Sequence, residues 1–131
     1  NPAKGPFSVL AWVKDGASGQ VVISEPAFAN WLKADAEGKL RTELMSPGRL
    51  GAPLQSQTII TDGQWHRIGL VWDGSRRMLY VDDVVAAEDT QAAPLNSGNG
   101  LYIGTGKKME PGTFWSGLID DVRIYNRAVR P

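Results

Sequence analysis

Apolar residues recur along the chain in short runs that are separated by turn-forming residues. Phe7–Lys14 carries apolar side chains on both faces of its alternating pattern, which predicts a central strand covered on both sides. Residues 65–72 alternate in a similar way and are followed by Asp73-Gly74-Ser75, which predicts a hairpin. In Leu118–Tyr125 the alternation predicts that the neighbours Asp120 and Asp121 point to opposite faces.

The same pattern predicts nine or ten strands and little or no helix. The predicted strands cover residues 7–14, 20–24, 31–34, 39–45, 58–61, 65–72, 77–81, 84–87, 101–104 and 118–125. Residues 46–57 hold two prolines and two glycines and are expected to form the longest loop. We therefore predict an all-β fold, an antiparallel β-sandwich or jelly roll, in one domain spanning residues 1–131.

Composition narrows the functions that this domain can have. The 131 residues carry 14 basic and 14 acidic side chains, so the surplus of positive charge that nucleic-acid binding requires is absent. The chain contains no cysteine and one histidine, His66, which excludes disulfides, thiolate chemistry and a multi-histidine zinc site. It also lacks an apolar stretch of the roughly 20 residues that a transmembrane helix needs.

Three segments, in order, resemble one known family. They are F-S-V-L-A-W-V-K at residues 7–14, D-G-Q-W-H-R-I-G-L-V-W-D-G at 62–74 with L-Y-V-D-D at 79–83, and G-L-I-D-D-V-R-I-Y-N-R-A-V at 117–129. Together they resemble laminin-G-like jelly rolls, which share the concanavalin A-like lectin/glucanase fold. The resemblance spans nearly the whole chain and implies the same sandwich.

Two features depart from the pattern of that family. Asp83 stands where the Tyr-Val-Asp-Gly turn has glycine, and aspartate tolerates left-handed backbone better than most residues. Family members also have one or two strands before the strand that corresponds to residues 7–14, whereas six residues precede it here. We expect those strands to lie in a longer parent polypeptide or to come from another chain. An edge strand without its neighbour would favour self-association.

The sequence argues against catalysis. Related glucanases carry carboxylates at a spacing such as Glu-x-Asp-x-x-Glu on one strand, and this spacing does not occur in the chain. His66 lies in the Trp-His hairpin pattern without a Gly-x-Ser-x-Gly nucleophile motif, so we interpret it as a packed structural residue. We predict that the domain is not an enzyme.

A calcium site is the metal site that the resemblance implies. In laminin-G-like domains the aspartate of the Gly-x-Ile-Asp segment helps to bind a structural Ca²⁺ together with backbone carbonyls of the first strands, and Asp120 occupies that position here. Because Ca²⁺ takes about 6–8 oxygen ligands, Asp120 alone is not a site. The alternative is that Asp120 only accepts backbone N–H bonds from a neighbouring loop.

Tryptophans are the main candidates for ligand contacts, because sugar rings stack on exposed indoles. The strand patterns place Trp12, Trp65 and Trp72 in the core or at its edge. Trp31 follows a predicted turn and Trp115 lies in a predicted loop, so these two are predicted to be the exposed pair that binds a ligand. Lys107 and Lys108, in the loop of residues 104–113, are expected to add polar contacts.

We therefore predict an extracellular or cell-surface binding or adhesion module of a larger secreted or surface protein, with carbohydrate as its ligand. The alternative is a structural spacer or a protein–protein interaction domain that binds no small ligand. In either case nucleic acid is not a partner, and the domain has no membrane span.

Overall fold

The computed structural model describes residues 2–45, 53–94 and 100–131. Ten β-strands lie in these ranges: β1 (Phe7–Lys14), β2 (Val21–Glu25), β3 (Ala29–Ala34), β4 (Lys39–Thr42), β5 (Leu54–Ile59), β6 (His66–Trp72), β7 (Arg76–Val81), β8 (Val84–Thr90), β9 (Tyr102–Ile103) and β10 (Leu118–Tyr125). No helix in the described ranges is long and apolar enough to cross a membrane.

The strands form two antiparallel sheets of five strands each. Sheet A has the order β10-β1-β6-β7-β8, and sheet B has the order β5-β4-β3-β2-β9. The predicted β-sandwich is therefore confirmed, and β1 is a central strand that pairs with both β10 and β6. Asp82 and Asp83, with φ of 52° and 66°, form the turn between β7 and β8, so the hairpin is kept without the glycine.

The hydrophobic core lies between the sheets. Phe7 of sheet A and Trp31 of sheet B are both fully buried, and their ring centroids lie 5.1 Å apart. The guanidinium of Arg77, also fully buried, bonds to the Asp89 carboxylate and donates to the Leu44 carbonyl at 2.6 Å. These hydrogen bonds offset the free-energy cost of removing the charged guanidinium from water.

The outer face of sheet A is covered unevenly along β1. The Ser8 hydroxyl donates to the Arg127 carbonyl at 2.8 Å and accepts from the Val129 amide at 2.8 Å, so the C-terminal segment covers this end of the strand. Leu10 is buried over Gly69, where a Cβ would overlap it. Trp12, the next outward-facing residue, is exposed.

A β-bulge interrupts the pairing of β10 with β1. Leu10 pairs with Arg123 and Trp12 pairs with Asp120, so one residue of β1 faces two residues of β10. Asp121 lies in this bulge with φ of 48°. The bulge breaks the regular alternation on which the sequence prediction for Asp120 and Asp121 depended.

Two predicted boundaries are wrong. The loop expected at residues 46–57 ends earlier, because β5 begins at Leu54, whereas the sequence placed that strand at residues 58–61. Leu54 and Ser56 face inward and are buried, and the Ser56 hydroxyl donates to the Leu40 carbonyl of β4 at 2.8 Å. The first part of that loop, residues 46–52, lies outside the described residues, as do residues 96–99 of the glycine-rich turn predicted at 96–100.

Candidate functional site

Trp12 lies at the centre of a row of side chains on the outer face of sheet A. It pairs with Asp120 on one side and with Arg67 on the other. The indole keeps 36% of its surface exposed, although the sequence placed it in the core or at its edge. A large exposed aromatic side chain beside polar groups is typical of a binding surface.

Trp65 lies immediately before β6 and is 41% exposed. The turn that precedes it is closed by its neighbour His66, whose Nε2 lies 2.8 Å from Asp62 Oδ1. The other ring nitrogen, Nδ1, lies 2.8 Å from Asp82 Oδ2. His66 thus joins the turn that carries Trp65 to the β7–β8 turn, and it is packed as predicted, with 8% of its surface exposed.

The two carboxylates beside His66 favour its protonated form. Burial of the ring opposes protonation, but the hydrogen bonds to Asp82 and Asp62 outweigh that effect and raise the pKa of His66. The hydrogen bond from His66 is in turn the main cause that lowers the pKa of Asp62. A charged imidazolium between two carboxylates holds the Trp65 turn more firmly than a neutral ring does.

Four residues line an open cleft on this face, and we call it the Trp12–Trp65 cleft. Trp12, Trp65, Asp120 and Asp121 form its lining, and its volume is about 230 Å³. The bulge lets both aspartates line the same cleft, so the prediction that they point to opposite faces is wrong. Two indoles and two carboxylates can together stack on a sugar ring and accept hydrogen bonds from its hydroxyl groups.

Two arginines beside the cleft are already engaged in ion pairs. Arg123 Nε lies 3.0 Å from Asp121 Oδ1, and the hydrogen bonds to Asp121 and to Tyr125 raise the pKa of Arg123. Arg67 Nη1 lies 3.1 Å from Asp83 Oδ1. For Asp120, by contrast, the contact in the described structure is the Asp121 amide, which donates to it at 2.8 Å.

A family model matches residues 2–131, which is almost the whole chain; it describes the concanavalin A-like lectin/glucanases superfamily and carries the laminin-G name. The chain belongs to this superfamily. The resemblance inferred from the three sequence segments is thereby confirmed.

Solved structures with the same fold include domains of different proteins. A candidate carbohydrate-binding protein from Bacteroides ovatus shares 17% identity at a TM-score of 0.75, over 95% of this chain and 38% of that one. The mouse laminin α1 chain, domains LG4-5, shares 17% identity at a TM-score of 0.72, over 95% and 36%. The CBM40 domain of a Ruminococcus gnavus sialidase, bound to α2,3-sialyllactose, shares 14% identity at a TM-score of 0.71, over 98% and 79%.

At these identities the likeness establishes the fold alone. This chain of the lectin/glucanase superfamily spans less than two fifths of the Bacteroides and laminin chains that it matches. It covers about four fifths of the Ruminococcus domain, for which a bound glycan is known.

The two tryptophans predicted to be exposed are buried. Trp31 is fully buried in β3 against Phe7, and Trp115 keeps 8% of its surface, with its Nε1 donating to the Leu118 carbonyl at 3.1 Å. Trp115 packs over Gly16, where a Cβ would overlap the indole ring. Their predicted exposure is wrong because each fills a space that distant parts of the chain create.

The predicted lysines lie elsewhere. The Lys107 amide donates to Asn30 Oδ1 at 2.9 Å and its carbonyl accepts from the Ala27 amide at 2.9 Å, which places the loop of residues 104–113 beside the β2–β3 turn of sheet B. Lys108 is exposed in the same loop. Neither lysine lines the Trp12–Trp65 cleft, and the part of Lys107 and Lys108 in ligand binding stays a prediction.

Asp120 is exposed, and the calcium site that the family resemblance implies there stays a prediction. No group of three or more His, Cys, Asp or Glu side chains in the described ranges is placed to hold a metal ion. Asp120 and Asp121 together supply fewer oxygens than the six to eight that Ca²⁺ requires. The calcium prediction therefore still depends on oxygens from outside these residues.

A second, larger groove lies on another part of the surface. It has a volume of about 590 Å³ and is lined by Pro2, Leu101, Ile103, Ile124, Tyr125 and Asn126. Ile103 lies on β9 and Ile124 on β10, the edge strands of the two sheets in the described structure, and each is about half exposed. This groove presents mainly apolar surface, without the carboxylates of the Trp12–Trp65 cleft.

Proposed function

We propose that the domain is a non-catalytic carbohydrate-binding module of a larger extracellular protein, and that the Trp12–Trp65 cleft is its glycan site. The observation that carries the proposal is the exposure of two indoles beside two carboxylates. Both indoles keep more than a third of their surface in water, although this sandwich buries Trp31, Trp72 and Trp115. A sugar ring can stack on the exposed face of an indole of this kind.

The polar groups of the cleft suit sugar hydroxyls. Ionised carboxylates act only as hydrogen-bond acceptors, and each hydroxyl group of a sugar donates one hydrogen bond. Charge-assisted hydrogen bonds of this kind are stronger than neutral ones and fix the orientation of a ring stacked on an indole. The similar structures that include a glycan-bound domain support this reading at the level of fold.

The absence of the Glu-x-Asp-x-x-Glu spacing from the sequence supports binding without catalysis. In the proposal, chemistry belongs to other parts of the parent protein, and this domain holds the glycan close to them. An extracellular location is part of the proposal, because polysaccharides and cell-surface glycans are found there.

Glycan-array screening followed by calorimetric titration tests the site. Trp12→Ala and Trp65→Ala should each weaken binding of the best glycan at least about tenfold, or 1.4 kcal/mol, because each removes a stacking surface. Phe114→Ala and Phe28→Ala are matched controls, since both rings are about half exposed and lie outside the cleft. They should leave the affinity unchanged.

The same titrations decide between this cleft and the loop predicted from the sequence. If Lys107→Ala and Lys108→Ala abolish binding and the Trp12 and Trp65 variants do not, the glycan site is the loop of residues 104–113. If no glycan binds, with or without Ca²⁺, the carbohydrate proposal is wrong.

A protein–protein interaction module is the second candidate function, and the apolar groove between β9 and β10 favours it. Exposed isoleucines on two edge strands can be covered by another segment of the parent protein or by a second copy of the domain. Sedimentation of wild type and Ile124→Lys distinguishes these cases, because a self-associating domain should become monomeric when a charge is placed in the groove.

A further inference from the structure

One carboxylate of the Trp12–Trp65 cleft has no ion-pair partner among the described residues. Asp121 and Arg123 form one ion pair, and Asp83 and Arg67 form another. Asp120 remains, and no basic side chain in the described ranges lies within ion-pair distance of it. The Asp120 carboxylate therefore lies in the cleft beside Trp12, its partner across β1 and β10, with no ion pair of its own in the described structure.

The indoles, like this carboxylate, favour a positively charged ligand. The faces of indole rings carry negative electrostatic potential and attract cations, most strongly among the aromatic side chains. Lys14, at the next outward-facing position of β1 opposite Leu118, is the one nearby side chain whose positive charge is not in an ion pair of the described structure. It is next to Trp12 on the same face of β1 but is not among the residues that line the cleft.

An acidic sugar would meet a poor environment here. Its carboxylate would approach Asp120, and the two arginines that could bind it are already paired with Asp121 and Asp83. Like charges within a few ångströms repel, and this repulsion grows as bound ligand displaces water. Only Lys14, which does not line the cleft, would be left to bind the acid.

We infer that the glycan bound in the Trp12–Trp65 cleft carries a protonated amine, as a glucosamine unit without its acetyl group does, and that Asp120 is the residue that selects it. The inference rests on the proposed carbohydrate-binding function and names the substrate class of the same site. The ammonium group lies against Asp120 while the sugar ring stacks on an indole.

Calorimetric titration with matched oligosaccharides tests the inference. The probes are the tetramer of glucosamine, the tetramer of N-acetylglucosamine and α2,3-sialyllactose, all at about pH 6, where aspartate is ionised and the amine is protonated. The glucosamine tetramer should bind at least about tenfold more tightly than the acetylated one, and sialyllactose should not bind measurably. Raising the salt from about 0.02 to 0.5 M should reduce this preference by screening.

Variants assign the preference to Asp120. Asp120→Asn should make the two tetramers bind equally, since it keeps the size of the side chain and removes the charge. Glu110→Gln is the matched control, because it removes an equal charge from an exposed residue of the loop of residues 104–113. It should leave the preference intact. N-acetyl-tetralysine amide, which has four amines and no sugar ring, should bind more weakly than the glucosamine tetramer.

The possible results separate the two proposals. If the acetylated tetramer or sialyllactose binds as tightly as the glucosamine tetramer, and Trp12→Ala abolishes that binding, the carbohydrate site stands and the charge selection is wrong. If Asp120→Asn keeps the preference, Asp120 is not the selecting residue. If the lysine peptide binds as tightly as the glucosamine tetramer, the cleft recognises charge alone. If none of the probes binds, the amine inference fails, and the array decides the carbohydrate proposal itself.

Discussion

Trp31 and Trp115 are buried, whereas Trp12 and Trp65 keep 36% and 41% of their surface exposed. The sequence pattern assigned the two pairs the opposite way round. The difference arises from what lies opposite each indole. Trp31 faces Phe7 of the other sheet, and Trp115 covers Gly16.

Trp12 lacks such a cover, although it shares its face of β1 with two buried residues. Ser8 is covered by the C-terminal segment through Arg127 and Val129, and Leu10 by its packing over Gly69. The uncovered end of this face is the place where Asp120 and the bulge residue Asp121 join Trp12. The comparison teaches that one face of a strand can be covered at one end and exposed at the other.

Replacing Trp31 should have the largest effect on stability. Trp31→Ala leaves a large cavity between the sheets and should lower the free energy of unfolding by about 3–5 kcal/mol. Trp31→Phe should cost less, because it keeps a ring against Phe7 and removes an indole Nε1 that has no hydrogen-bond partner in the described structure. Urea unfolding measures both. Equal stability of Trp31→Ala and wild type would contradict the burial of this side chain.

Gly16→Ala should disturb the second buried indole. The new methyl group would overlap the Trp115 ring, so the indole must shift, at a cost of about 1–3 kcal/mol. Gly5→Ala is the matched control, because a Cβ there meets no atom within 4 Å. Thermal unfolding of both variants checks the prediction, and equal melting temperatures would show that Trp115 does not pack on Gly16.

The hydrogen bonds of His66 to Asp62 and Asp82, which we call the His66 clamp, should make the free energy of unfolding depend on pH. Because the folded pKa of His66 is raised, its contribution is complete below its unfolded value of about 6.5 and is lost as the pH rises through the raised pKa. The lowered pKa of Asp62 contributes stability that is present above about pH 4 and is lost as the pH falls through the lowered pKa.

Urea unfolding across this range, for wild type and His66→Gln, measures the effect. The stability difference between them should be largest between about pH 4 and 6.5 and should shrink above that window. A difference that does not change with pH would contradict the ionic character of the clamp.

Replacing the exposed indoles should change stability least. Trp12→Phe and Trp65→Phe should each alter the free energy of unfolding by no more than about 0.5 kcal/mol. The double variant should lose most of the tryptophan fluorescence that acrylamide quenches in the wild type, since the remaining indoles are buried. Unchanged quenching in the double variant would mean that the exposed tryptophans are not Trp12 and Trp65.

Local patterns predicted most of the fold. Alternation identified β1, β6 and β10 with nearly their observed bounds, because successive side chains of a strand point to opposite faces. The strand β5 was displaced, since burial of Leu54 and Ser56 depends on pairing with β4 and not on local composition. Asp120 was identified as a site residue, whereas its partners Trp12, Trp65 and Asp121 were not.

The sequence did contain an indication that Trp12 is exposed. Trp12 belongs to a strand whose other outward-facing positions are Ser8, Leu10 and Lys14, so its face becomes polar towards the end of the strand. Such a change indicates that the cover over the strand ends there. For Asp121 the sequence offered no comparable signal, because any of the residues in 118–125 could have formed the bulge.

The sequence by itself determined the sandwich, the absence of thiol and multi-histidine chemistry, and the packing of His66, because these depend on residue type and on short-range periodicity. Only the tertiary structure decided which tryptophans are exposed and that Asp120 and Asp121 share a cleft. Exposure depends on what distant segments place over a side chain, and here the C-terminal segment covers Ser8 but stops short of Trp12. The register between β1 and β10 created the bulge, and no single strand contains that information.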